Sequence, residues 1–168
     1  SANEKTAMES ALGMSYAGKR AMVCMKHVGL NVAADAFINS AITGTNGGLL
    51  VTVADDPSMH SSQNEQDSRY YGKFAQIPIL EPSNQQEAYD MAYAGFQLSE
   101  KFGFPILIRI TTRLAHSRAA VERKELLDQN EITLPKNPQQ FVLLPSFARV
   151  QYKGLLNSFA GFIEDSES

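Results

Sequence analysis

The sequence predicts an α/β domain: a three-layer parallel sheet with helices on both faces. Three observations carry this. Helical and strand-like segments alternate in single file up to Thr112, the pattern of parallel strands joined by right-handed helical crossovers. Leu49 to Ala54 (LLVTVA) is almost continuously apolar, as a central strand covered on both faces must be. Helix-start and helix-stop residues, Asn3 and Gly18 first among them, fall where the alternation needs boundaries.

Asn3 is an N-cap for a helix running to about Ala17, which Gly18 ends in a left-handed turn. Ala7, Ala11 and Ser15 recur at i, i+4 and leave room for a neighbouring element, while Met8, Leu12 and Tyr16 form an adjacent apolar stripe. Arg20 to Met25 reads as a short buried strand, Lys26 to Asn31 as a turn, and Leu30 to Thr43 as a second helix. Gly44 to Gly48 is a loop, the LLVTVA strand follows, and Asp55-Asp56-Pro57 ends it. A polar stretch from Ser58 leads to a short helix within Asn64 to Phe74, then to an extended piece at Ile77–Leu80. Ser83 is read as the cap of a long helix to Phe102, with Glu87 in its first turn. Ile106 to Thr111 is a further buried strand.

These elements make up residues 1–118. Residues 119–168 read as a connector and helical tail: a linker at Leu134–Pro138, an extended piece at Phe141–Leu144, and a helix from Ser146 to about Ile163. The tail is expected to pack elsewhere in the intact protein or to link to another domain.

Composition narrows the function. The 168 residues are 43% hydrophobic, enough for one core, and the net charge of -3 with interspersed signs argues against nucleic acid as a partner. No apolar run approaches the ~20 residues of a membrane helix. Cys24 stands alone, so neither a disulfide framework nor a cysteine-ligated metal is encoded here. A cytoplasmic setting is the default reading.

In parallel α/β sheets ligands bind beyond the carboxyl ends of the strands. Three loops lie there, Lys26–Asn31, Asp55–Glu65 and Thr112–Arg118, and they hold all three histidines, His27, His60 and His116. Asp55-Asp56 is a poor metal pair, because Asp-Pro after a strand is a common turn. A serine hydrolase built on His60, Ser61 and Asp67 lacks a Gly-x-Ser-x-Gly elbow.

Asn3-Glu4 followed by Ala7, Ala11, Gly13 and Ala17-Gly18 resembles the opening helix of the pyrimidine-binding domain of thiamine diphosphate enzymes. The likeness sharpens with Met25-Lys26-His27-Val28-Gly29-Leu30-Asn31-Val32-Ala33-Ala34-Asp35, Gly47-Gly48, and the run from Val53-Ala54-Asp55-Asp56-Pro57 through His60-Ser61-Ser62-Gln63-Asn64 to Asp67. These segments resemble the indolepyruvate ferredoxin oxidoreductase alpha-subunit family, within the 2-oxoacid:ferredoxin oxidoreductase superfamily. The match is close from Ser1 to about Arg118 and looser beyond, where Leu144 to Arg149 resembles the family's connector.

The resemblance implies a pyrimidine-domain fold lacking its first strand, in a larger enzyme that oxidatively decarboxylates aryl 2-oxo acids to acyl-CoA and passes electrons to ferredoxin. It implies thiamine diphosphate as cofactor, with magnesium and iron–sulfur clusters held outside this segment. It implies as partners the diphosphate-binding and cluster domains of the same subunit, a beta subunit, ferredoxin and coenzyme A. The segment alone is then expected to be inactive, and an exposed sheet edge makes a homodimer conceivable.

By the same resemblance Glu4 is the catalytic glutamate that hydrogen-bonds N1′ of the aminopyrimidine. Sharing a proton there favours the imino form, which can deprotonate thiazolium C2. Glutamate suits the task because burial strengthens a carboxyl's hold on a proton, although a helix N-terminus favours the carboxylate. The plain alternative is a solvated first-turn glutamate that complements the helix dipole. His27, Val28 and Gly29 would lie near the pyrimidine or substrate, with Gly29 allowing close backbone approach; the alternative is an ordinary turn with a surface histidine. His60, Gln63 and Asn64 match a substrate-binding loop, and Gln63 falls where pyruvate-using relatives present an arginine to the substrate carboxylate. That loop also reads as a simple solvated one. His116-Ser117-Arg118 matches the family without a derivable role. Two other functions stay open: a non-oxidative thiamine diphosphate decarboxylase or synthase, and a non-catalytic α/β assembly domain.

Overall fold

The structure, a computed structural model, describes residues 1–166. Four parallel strands, β1 (Ala21–Lys26), β2 (Leu49–Asp55), β3 (Ile79–Leu80) and β4 (Ile106–Thr111), form one sheet in the order β1-β2-β4-β3. The apolar β2 is central, paired with β1 on one side and β4 on the other, and Leu49, Leu50, Val51 and Val53 are buried. The expected α/β architecture is what forms.

Helix α1 (Glu4–Tyr16) starts on Asn3, whose side chain accepts from the Thr6 amide at 3.0 Å. Its small stripe lets it settle on α2 (His27–Thr43) and β1. Ser15, fully buried, donates from Oγ to the Gly47 carbonyl at 2.6 Å. The opposite face of the sheet is covered by α4 (Gln85–Phe102), which comes so near that a β-carbon on Gly95 would lie 2.9 Å from Leu50 Cδ2. Helix α3 (Arg69–Ala75) packs on α2. No described helix is long and apolar enough to cross a membrane.

Four local expectations are corrected. No turn separates β1 from α2: the strand runs to Lys26 and the helix begins at His27. The cap of α4 is Asn84, whose side chain accepts from the Glu87 amide at 2.9 Å; Ser83 sits one residue earlier and donates its amide and hydroxyl to Glu87. Thr112–His116 is a short helix, α5, where a loop was expected. The expected extended piece at 141–144 begins inside a 3₁₀ turn over Pro138–Phe141.

Residues beyond Arg118 lie along the sheet domain. The Asn130 side chain donates to Glu100 at 2.7 Å, and Glu100 also holds Arg20 through two bonds of 2.8 Å. The Thr133 amide reaches the Ala17 carbonyl at 2.9 Å, and the Phe141 ring lies 4.0 Å from that of Tyr16. Helix α6 (Pro145–Ser166) buries Leu155 and sets Phe162 against Phe102 and Phe104.

Candidate active site

The carboxyl ends of β1, β2 and β4 open on one rim, and two close approaches define it. The first joins α1 to α2. Glu4 is the first residue of α1, and its side chain lies directly over Gly29 in the first turn of α2: a β-carbon on Gly29 would stand 2.6 Å from Glu4 Cγ. Glu4 is half-buried, and among the described residues nothing hydrogen-bonds or ion-pairs with its carboxylate. Val28, next to Gly29 in sequence, is half-buried, and Gly29 is buried.

The second approach joins α2 to the 56–68 loop. His27 is 1% exposed. Its Nε2 lies 3.1 Å from the Asn64 main-chain carbonyl and 3.2 Å from the Asn64 side-chain oxygen, and its Nδ1 lies 3.4 Å from the Ala54 carbonyl. Carbonyl oxygens only accept, so the imidazole is the donor in this cluster. His60 and Gln63 sit in the same loop with their side chains exposed, as does His116 at the end of α5. The histidines therefore share the rim without converging on one point.

Sequence reasoning missed the carboxylates that build the rim. Asp55, fully buried at the end of β2, accepts from Arg109 Nε at 2.6 Å and from the Ser68 amide at 3.0 Å, and also from the Ser68 hydroxyl. Arg109 in turn donates to Glu81. Asp56, equally buried, accepts from the Ser61 amide at 2.8 Å and the Thr112 hydroxyl at 3.0 Å. These bonds, the Ser61 amide foremost, hold the Asp56 carboxyl well below the usual carboxylate range. Both aspartates therefore organise backbone, one for the loop and α5, the other for the start of α3. An arginine inside the apolar run Ile106–Thr111 was the available signal, since a buried guanidinium demands a carboxylate.

A family model described as pyruvate flavodoxin/ferredoxin oxidoreductase, thiamine diphosphate-binding, matches residues 1–148. The chain belongs to this thiamine diphosphate-binding family. The indolepyruvate oxidoreductase subunit IorA of Pyrococcus abyssi is 50% identical over 171 aligned residues, covering 98% of this chain and 26% of the relative. The subunit of the same name from Archaeoglobus fulgidus is 52% identical over 151 residues, covering 89% of this chain and 24% of the relative. The chain thus spans about a quarter of the length of these curated relatives. Among solved structures, the 2-oxoglutarate:ferredoxin oxidoreductase of Magnetococcus marinus shares the fold at a TM-score of 0.69 with 16% identity, over 98% of this chain and 36% of that one.

Proposed function

We propose that this chain supplies the pyrimidine-binding part of an indolepyruvate:ferredoxin oxidoreductase, with Glu4 as its catalytic residue. The observation that carries the reading is the Glu4 carboxylate itself, half-buried, without a protein partner among the described residues, and seated in the room left by a glycine. A free acceptor on a half-buried ledge fits a ring nitrogen that carries or exchanges a proton.

Bound thiamine diphosphate supplies a ring that holds the electron pair released when a 2-oxo acid loses CO₂. This chain's residues do the rest of what is assigned to it. Glu4 holds or returns a proton at N1′ of the aminopyrimidine. Gly29 leaves Glu4 the room it occupies, and half-buried Val28 flanks the ring. His60 and Gln63, exposed on the 56–68 loop, face the substrate; neither is an arginine, so the carboxylate of a large aryl 2-oxo acid is met there by neutral or titratable groups rather than by a fixed guanidinium. The diphosphate and its magnesium, the iron–sulfur clusters, a beta subunit, coenzyme A and ferredoxin belong to the remainder of the complex. A cytoplasmic setting suits a domain with one unpaired cysteine.

The test is Glu4→Gln in the full-length enzyme. The expected result is a loss of indolepyruvate-dependent ferredoxin reduction by about 10²–10⁴, the usual worth of a positioned acid–base group, with the circular dichroism spectrum unchanged. Turnover equal to the parent's removes the catalytic role and with it the reading.

A further inference from the structure

We infer that His27 is a positioning residue: it fastens the substrate-facing 56–68 loop to the first turn of α2, where Gly29 seats Glu4 of α1, and is not itself a ligand of cofactor or substrate. The inference rests on the functional reading above only for what the loop faces.

The loop is held at three points. Asp56 accepts from the Ser61 amide, His27 donates to the Asn64 carbonyl, and Asp55 accepts from the Ser68 amide. All three holding side chains are buried, none exposed by more than 1%. Between these points Pro57, Ser58, Met59, His60 and Gln63 are turned outward. The two aspartates belong to the strand end from which the loop departs, so they shape it locally. His27 comes from a different element, and therefore fixes where the loop stands relative to the cofactor ledge. An exposed Lys26 ammonium, 3.3 Å from the Ser61 carbonyl, assists from the same strand–helix junction.

The ring's own bonds exclude a ligand role. Nε2 is used by Asn64, Nδ1 is closed off by the Ala54 carbonyl 3.4 Å away, and the residue is 1% exposed, so neither nitrogen is open to a bound molecule. Two residues further along α2, Gly29 carries Glu4. One helical turn thus sets both the acid and the loop opposite it, which is what a site needs if the substrate is to meet the cofactor at a fixed separation. Without the imidazole the Asn64 carbonyl loses its donor, and the loop loses its tie to α2.

The experiment uses full-length enzyme and two readouts. Hydrogen–deuterium exchange is followed in the cofactor-free protein on peptides covering 57–66, and KM and kcat are measured with indolepyruvate. His27→Ala is expected to speed exchange in that window by about tenfold, the scale of one lost hydrogen bond to a buried carbonyl, to raise KM more than it lowers kcat, and to leave thiamine diphosphate affinity within about twofold. His27→Gln, whose amide can donate to the same carbonyl, restores slow exchange. Asn64→Ala, which spares the core ring and the main-chain bond, gives a smaller rise in the same window and covers the case in which His27→Ala does not fold. Unchanged exchange in both alanine variants overturns the inference. So does a fall in cofactor affinity with the loop still slow, or a His27→Gln enzyme as impaired as His27→Ala. Exchange in the cofactor-free protein does not depend on the reaction, so a Glu4→Gln enzyme with full turnover sinks the functional reading separately.

Discussion

Glu4 rests on Gly29. A β-carbon on that glycine would come within 2.6 Å of Glu4 Cγ and 3.1 Å of Cδ and Oε1, too near for the side chain to stay where it is. The backbone of Gly29 is ordinary helix, so alanine there suits the helix itself by about 0.5–1 kcal/mol. Gly29→Ala should therefore separate stability from function. The melting temperature holds or rises, while Glu4 is pushed off its ledge and thiamine diphosphate affinity falls by about tenfold, a loss of one well-placed hydrogen bond. Thermal unfolding and cofactor titration of the same preparation decide it; a lowered melting temperature with unaltered affinity would show that the pair is merely packed.

The buried pair Asp55–Arg109 invites a double-mutant comparison. The Asp55 side chain is 0% exposed and that of Arg109 8%. Arg109→Met leaves a buried carboxylate without its cation, at a cost of about 3–5 kcal/mol. Asp55→Asn combined with Arg109→Met should cost less than Arg109→Met alone, because the stranded charge is gone and the asparagine oxygen can still accept from Ser68. Urea unfolding measures both. A double variant no more stable than the single one would mean that the aspartate is satisfied chiefly by Ser68.

Much of this fold is legible from local chemistry. Leu49–Ala54 reads as a central strand because its residues are apolar on both faces, and it pairs on both sides. Asn3 and Gly18 mark the ends of α1 because capping is decided within a few residues, and Gly18 does adopt a φ of +86°. Local ambiguity explains the nearest miss: Ser83 and Asn84 are both good caps, and each bonds Glu87, but only Asn84 takes the Glu87 amide. The site is less legible because its relationships are tertiary. Spacing does not reveal that Glu4 meets Gly29, or that His27 turns inward to Asn64. Likeness to a family does bring these residues together, because it transmits tertiary neighbours without deriving them. Arg109 is different, since its charge inside an apolar strand was a readable demand for a buried acid.

Acidification should loosen the rim through Asp56. Its carboxyl is held below the ordinary range, mainly by the Ser61 amide and with help from the Thr112 hydroxyl. A folded-state pKa below the unfolded one means that the contribution is fully present above the ordinary carboxylate value of about 4, and drains away as the pH falls below it toward the folded value. Stability followed by urea unfolding between about pH 6 and pH 3 should fall with a slope that Asp56→Asn makes shallower. An identical slope in the variant would assign the acid sensitivity to other carboxylates, such as Asp67, which its Arg69 partner likewise holds low.

Helix α6 offers two adjacent leucines in opposite environments. Leu155 is 6% exposed and packed into the core, while Leu156 is 42% exposed. Phe162, two turns on, lies 5.7 Å from Phe102 and 6.0 Å from Phe104, ring centre to ring centre. If the tail is part of this domain's core, Leu155→Ala costs about 2–4 kcal/mol, as a buried truncation does. Leu156→Ala should cost no more than about 0.5 kcal/mol, the ordinary range for a surface change. The comparison controls for helix propensity, because the two substitutions are the same and sit side by side. Equal losses in the two variants, measured by urea unfolding, would mean that α6 does not dock here in solution. Equal losses would also release the Gln140 side-chain bond to the Thr43 carbonyl as the next contact to question, since that bond joins the 3₁₀ turn before α6 to the end of α2.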